Sequence, residues 1–249
     1  MIDIHAHILP AIDDGAENMD DALEMAALAV ESGVKTIVVT PHCIDFADRK
    51  NFWAPQLMEE IEKIRSRLAK EKIPLEILPG MEIFGTRKTP DLIRRGKLTG
   101  LNNSDYMLIE FAFHNYAVHA TEILEQIIDL GKRPVIAHPE RYEYVLEDPS
   151  ILNLWVEMGC LLQVNKGSLL GAFGRREQAL AFELIERDFV FAVASDAHSP
   201  ARRTTWMVDV YNLLAREFSQ STAKRLLETN PGKIIRNENI QRVQPRWFR

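Results

Sequence analysis

The sequence predicts an α/β fold on parallel strands, either a closed (β/α) barrel or an open doubly wound sheet. Three observations carry this expectation. Seven short apolar, β-branched runs recur along the chain, with helical segments between them. Strand–helix alternation makes parallel strands joined by right-handed crossovers the natural connection. The chain has 249 residues, 46% of them hydrophobic, which suits one large α/β domain or two small ones, and no linker or internal repeat divides it.

The first run covers residues 2–5 (IDIH). NMDDALEMAALAVESG follows, with Asn18 placed to cap a helix, acids in its first turn and Gly33 as a stop. The second run is 34–40 (VKTIVVT). WAPQLMEEIEKIRSRLAKEK then sets its apolar residues 57, 61, 64 and 68 on one helical face. The third and fourth runs are 75–83 (LEILPGMEI) and 106–111 (YMLIEF), and ATEILEQIIDLG ends the next helix at Gly131. The fifth is 133–138 (RPVIAH), followed by PSILNLWVEMG, which ends at Gly159. The sixth, 161–165 (LLQVN), precedes GRREQALAFELIERD; the seventh, 189–194 (FVFAVA), precedes TWMVDVYNLLAREF and STAKRLLETNP. One domain is expected over residues 1–235. The tail 236–249, RNENIQRVQPRWFR, is basic with two aromatics and reads as a peripheral arm, either at a homo-oligomer contact or as a frayed end.

Composition excludes several classes. The net charge of -6 and a pI near 5.7 disfavour nucleic acid and anionic membrane as partners. No apolar run reaches the roughly 18–20 residues that a bilayer requires, so direct membrane insertion is not expected. MIDIHAHIL is strand-like and lacks the charged and apolar regions of a signal peptide. Cys43 and Cys160 make no disulfide framework. A cytoplasmic location is expected. The G-x-G-x-x-G fingerprint is absent, which weakens a dinucleotide-binding reading.

The placement of ionisable residues is the strongest signal. His5 and His7 end the first run and His42 lies just past the second. Glu82 ends the third, Glu110 the fourth and His138 the fifth, while Asp196 and His198 follow the seventh; the sixth offers Asn165. In an α/β barrel these ends converge on the face that carries the active site. A lone histidine at a strand end is ordinarily just hydrogen-bonded, and His114 and His119 read as solvated or supporting residues. HAH is more informative, because residues i and i+2 share one face of a strand and two imidazoles can share one cation; SDAH repeats the spacing. Glu110 in LIEF is hard to dismiss, because a buried unpaired carboxylate is costly. Five histidines with Asp14, Glu82, Glu110 and Asp196 exceed what one four-coordinate site uses and suffice for two or three cations. Mixed imidazole and carboxylate suits Mn, Fe or Zn and suits Ca poorly.

One stretch offers a competing chemistry. TPHCIDFADR, residues 40–49, places His42, Cys43 and Arg49 at the H-C-x5-R spacing of cysteine-dependent phosphatases. Such a phosphate cradle wants glycine and inward-pointing amides at a helix N-terminus, which also lower the thiol pKa. IDFAD has no glycine and carries two aspartates that repel phosphate.

DIHAHILPAIDDG, TPH, GMEI, LIEF, AHPERY and SDAH together resemble the PHP (polymerase and histidinol phosphatase) superfamily. The chain is most similar to the bacterial metal-dependent protein tyrosine phosphatases of capsular and exopolysaccharide operons. The resemblance runs from Ile2 to about Ile235, with the motifs in family order. It implies a distorted (β/α)7 TIM-like barrel and three divalent cations, Mn foremost with Fe or Zn as alternatives. It implies that His5, His7 and Asp196 hold one cation, with Glu82 bridging to a second that Glu110 and His138 complete. Asp14, His42 and His198 would hold the third, Asp14 rather than Asp13 being matched in DDG. Arg141 in HPERY and Arg203, five residues past His198, match the family's phosphate binders, with Arg202 as the neighbouring alternative. The implied reaction is hydrolysis of protein phosphotyrosine by a metal-bound hydroxide, the substrate being the tyrosine-rich tail of a membrane-associated autokinase that controls polysaccharide assembly. GTRKTPDLIRRGK, past the third run, could edge the site and meet an acidic phosphopeptide or simply be a solvated basic face. The alternatives are a PHP phosphoesterase acting on histidinol phosphate or a nucleotide, a Cys43 phosphatase, and a non-catalytic metal-binding partner of a kinase.

Overall fold

The computed structural model describes residues 1–45, 50–114, 118–241 and 244–249. Phe46 to Arg49, and with them the arginine of the H-C-x5-R spacing, lie outside the described residues. In chain order the elements begin with β1 (Ile2–Ala6), α1 (Met19–Glu31), β2 (Thr36–Val39), β3 (His42–Cys43), α2 (Pro55–Glu71), β4 (Glu76–Leu78), β5 (Glu82–Phe84) and α3 (Thr89–Arg94). They continue with β6 (Tyr106–Glu110), α4 (Val118–Asp129), β7 (Arg133–Ala137), α5 (Glu143–Glu147), α6 (Ile151–Glu157), β8 (Leu161–Asn165) and α7 (Lys166–Leu169). The chain closes with α8 (Arg175–Glu186), β9 (Val190–Ala194), α9 (Val208–Glu217), α10 (Gln220–Lys224), a π-helical turn (Arg225–Thr229) and α11 (Asn230–Ile235).

Among the described residues, every pairing between these strands is parallel. One sheet runs β1-β2-β4 and the other β3-β5-β6-β7-β8-β9. The expected third strand is therefore split into β4 and β5, while the expected second holds β2 alone and β3 follows just beyond it. Pro41 and Pro79 sit at the breaks and have no N–H to give a ladder. At each proline the chain leaves the first sheet and enters the second. Past β9 the chain returns to β1: Asp196 N donates to His5 O and His7 N to Ala197 O, both at 2.8 Å. Asp3, fully buried, accepts from Ser195 N at 3.0 Å across the same junction. The strands thus follow one another in sequence order, and the end of the last lies beside the first.

Side-chain parity explains why the site has a floor. Tyr106 and Leu108 join a buried cluster with Val135, Ala137, Leu161, Ala192 and Ala194. Met107 and Ile109, of opposite parity, join the larger cluster with the helix residues Ile61, Ile64, Leu124 and Ile127. Continuing the first row toward the strand ends gives Glu110 on β6, Gln163 and Asn165 on β8 and Asp196 past β9. An apolar layer therefore underlies a polar one.

Helices follow their local chemistry. Asn18 caps α1, its side chain accepting from Asp20 N and Asp21 N. Leu57, Ile61, Ile64 and Leu68 are the buried stripe of α2. The tail is docked against its own chain: Phe248 exchanges two hydrogen bonds with Asn153 on α6, and Arg246 N donates to Arg187 O.

Candidate metal centre

Glu82 stands at the middle of the site, 1% exposed. Its Oε1 lies 3.3 Å from His5 Nε2 and 3.1 Å from His138 Nε2. Its Oε2 lies 3.3 Å from His7 Nε2 and 2.9 Å from His42 Nδ1. Among the described residues Oε2 nevertheless makes no hydrogen bond. Two imidazole nitrogens crowd this oxygen without a hydrogen bond, as ligands around a common cation do.

The imidazoles are aimed from behind. His7 Nδ1 faces Asp13 Oδ2 at 2.7 Å and His5 Nδ1 faces Gln163 Oε1 at 2.8 Å. Each acceptor holds the N–H on Nδ1 and turns the Nε2 lone pair inward. The two Nε2 atoms then face each other at 3.2 Å. Two lone pairs at that distance repel unless a proton or cation lies between them. His198 Nδ1 lies 3.0 Å from the carbonyl of Asp196, which leaves its Nε2 directed at Asp14 Oδ1, 3.7 Å away. His42 Nε2 reaches the same Asp14 oxygen at 3.4 Å.

The donor atoms fall into four overlapping groups that could each hold a cation. They are His7–Asp14–His42–His198, His5–His7–Asp196, His5–Glu82–His138 and His42–Glu82–Glu110. All nine residues singled out from the sequence enter these groups. The partition differs from the resemblance in three details: His7 also joins Asp14, His42 and His198, His5 also joins Glu82 and His138, and Glu110 groups with His42 while standing 3.6 Å from His138. Asp14 is exposed at the rim, whereas Asp13 turns away to support His7 and the amides of His42 and Gly15. A side chain at Gly15 would collide with the His7 backbone, so the close approach of DDG to HAH needs glycine there.

The electrostatics describe a cage short of positive charge. Burial and the neighbouring Glu82 and Asp196 push the Glu110 carboxyl well above its usual range. Against burial, the imidazoles of His5 and His42 hold Glu82 well below it. Burial drives His138 down to about 4. Against burial, the surrounding carboxylates hold His5 and His7 above the usual imidazole range, so the cage without a cation retains protons that divalent cations would displace on binding.

The turn after β7 shows why HPERY has that composition. His138 takes a left-handed conformation (φ 34°), Pro139 opens a short 3₁₀ turn, and Glu140 and Tyr142 anchor it. Glu140 accepts from Asn165 N at 2.9 Å and Ser168 Oγ at 2.6 Å. Tyr142 Oη donates to Ala137 O at 2.8 Å and accepts from Phe111 N at 3.0 Å. Arg141, held between the two anchors, reaches Asp196 Oδ2 at 3.3 Å. Arg203 pairs with the same oxygen from the other side. Its loop folds back through His198 N to Arg203 O and Ser199 Oγ to Arg202 O, so Arg203 (φ 51°) faces the site while Arg202 is exposed.

Sequence reasoning passed over Gln163. It bridges His5 to Asn165 at 2.8 and 2.9 Å, and Asn165 Nδ2 reaches Asp196 Oδ2 at 2.6 Å. A glutamine inside an apolar strand was the available signal. His114 and His119 are both exposed; His119 meets Arg87 of the basic segment at 3.1 Å, and Lys88 pairs with Asp45. The Cys43 thiol is 2% exposed, and burial with Asp45 pushes it up to about 12. A nucleophilic cysteine needs the opposite shift.

The family model for capsular polysaccharide synthesis, CpsB/CapC, matches residues 1–236. The tyrosine-protein phosphatase YwqE of Bacillus subtilis is 38% identical over 245 residues, covering 98% of this chain and 95% of its own. The tyrosine-protein phosphatase CpsB of Streptococcus pneumoniae is 33% identical over 248 residues, covering 96% and 100%. A crystal structure from work on YwqE and CpsB, described as metal-dependent tyrosine phosphatases, superimposes with a TM-score of 0.93 at 38% identity, covering both chains completely. With that match across the fold and nearly the whole sequence, the chain belongs to the CpsB/CapC family of capsular polysaccharide synthesis.

Proposed function

We propose that the protein is a metal-dependent protein-tyrosine phosphatase. The observation that carries this reading is Glu82, a buried carboxylate whose two oxygens stand 2.9–3.3 Å from four imidazole nitrogens, with two arginines beside the cage. The names of the relatives point to the same activity. His5, His7, Asp14, His42, Glu82, Glu110, His138, Asp196 and His198 are the ligands in this reading, and the overlapping groups suit three cations, Mn foremost with Fe or Zn as alternatives.

Hydrolysis of a phosphate monoester requires attack on a dianion that repels nucleophiles. Bound divalent cations supply Lewis-acid charge there and lower the pKa of water to about 7. Arg141 and Arg203 bind the phosphoryl oxygens and orient the ester for in-line displacement. Their side chains are 18% and 34% exposed, so they border the entrance and can leave Asp196 for an arriving phosphate. Asp13 and Gln163 keep the His7 and His5 lone pairs inward. A phenolate leaving group, with a pKa near 10, needs modest help. The proposed substrate is phosphotyrosine on a protein, with a membrane-associated tyrosine autokinase as the partner of this reading; membership in a capsular polysaccharide synthesis family supports it. Among the described residues, no helix is long and apolar enough to cross a membrane.

Replacing Asp13 by alanine is expected to weaken cation binding about 10–100-fold, because His7 loses the acceptor that fixes its tautomer. Titration of the stripped variant with Mn measures it. The substrate assignment is tested by kcat/KM on a phosphotyrosine peptide against histidinol phosphate and a nucleoside monophosphate. A preference for the peptide of about 100-fold is expected; preference for either small molecule would overturn the assignment.

A further inference from the structure

Both arginines at the mouth of the site rest against one aromatic ring. The Arg141 guanidinium carbon lies 4.2 Å from the centroid of Phe173 and that of Arg203 lies 5.8 Å from it. Arg141 also stands 4.7 Å from the centroid of Phe113. These separations are within the range of cation–π attraction. We infer that Phe173 is a positioning residue, which holds the guanidinia of Arg141 and Arg203 in a common orientation for a dianionic phosphoryl group. The inference rests on the reading of those arginines as phosphoryl binders.

The local structure fixes the ring. Phe173 lies in the turn between α7 and α8, between Gly171 and Gly174, whose φ values of 79° and 128° favour glycine. Ala172 N donates to Gly167 O at 2.8 Å, and Gln178 Nε2 to Leu169 O at 2.9 Å, tying the turn to both helices. The ring then packs on Gly167. A Cβ at that glycine would stand 2.7 Å from Phe173 Cε2 and 3.0 Å from Cζ, closer than side-chain atoms pack. Gly167 thus makes the seat that brings Phe173 to the arginines.

The arginines need such support. Their shared polar anchor is one oxygen, Asp196 Oδ2, which also accepts from Asn165 and belongs to a candidate ligand. Arg203 Nε is buried without a hydrogen bond among the described residues. A phosphate that draws the guanidinia off Asp196 would release two long side chains with large rotamer freedom. The ring stays in contact with both when that carboxylate no longer does, so the forks remain aligned.

The test uses the Mn-loaded protein with inorganic phosphate as the probe, its binding followed by titration calorimetry beside aryl phosphate kinetics. Phe173→Leu is expected to weaken phosphate binding and raise KM for the aryl ester by the same factor, about tenfold. Phe173→Tyr should retain both values. Gly167→Ala, which displaces the ring without touching the arginines, should reproduce the leucine variant. Phosphate affinity within about twofold of the parent in Phe173→Leu would overturn the inference, whatever its melting temperature. So would a rise in aryl KM with phosphate affinity unchanged, because the ring would then be touching the leaving group. Unchanged phosphate binding in Arg141→Ala and Arg203→Ala would instead remove the reading on which the inference rests.

Discussion

Replacing Glu82 by glutamine is expected to lower kcat/KM for an aryl phosphate about 1000-fold and to reduce the cations retained per chain. Glutamine keeps the volume and so isolates the charge. Glu82 is the only carboxylate whose oxygens lie within 3.3 Å of four imidazoles among the described residues, and it enters two of the four donor groups. Taking one partner from a buried charged set costs about 3–5 kcal/mol, equivalent to between 100- and several thousand-fold in an equilibrium or rate. Elemental analysis of the purified variant, alongside kinetics, separates lost cations from lost chemistry. Full occupancy with unchanged kcat/KM would contradict the central place given to this residue.

The second large effect is expected at the arginines. Arg141→Ala and Arg203→Ala should each lower kcat/KM about 100-fold, from the loss of charge-assisted hydrogen bonds worth roughly 1.5–3 kcal/mol each. Lysine should restore little at either position, because a single ammonium cannot reproduce a bidentate fork. Arg202→Ala provides the contrast. It is exposed and turned away by the 198–203 loop, so its loss should leave kinetics within about twofold. An equal loss at Arg202 and Arg203 would mean general electrostatic attraction, not a positioned pair.

The fold was legible where the strands carry dense apolar, β-branched runs, and the helices where a stripe such as Leu57–Ile61–Ile64–Leu68 repeats. The break at Pro79 escaped notice because apolar residues continue on both sides of it, and β3 because His42–Cys43 is too short a run to show alternation. The helices at 89–94, 143–147 and 166–169 are too short to show a period. At the site, the donors announced themselves because His, Asp and Glu are out of place at the ends of buried strands. Their supports did not. Asp13 is indistinguishable from Asp14 by type, Gln163 differs from its apolar neighbours by one amide, and Phe173 meets the arginines only through tertiary folding. Which of Arg202 and Arg203 turns inward depends on a left-handed backbone at 203, which no local pattern announces.

TPHCIDFADR poses the central question of which chemistry operates. His42 Nδ1 stands 2.9 Å from Glu82, whereas the adjacent Cys43 thiol is buried and pushed up to about 12. The most direct test measures aryl phosphate hydrolysis after chelation and, separately, after thiol alkylation. The account predicts that EDTA abolishes activity, that Mn restores it, and that alkylation leaves it intact. An enzyme that resists EDTA and is silenced by alkylation would contradict it.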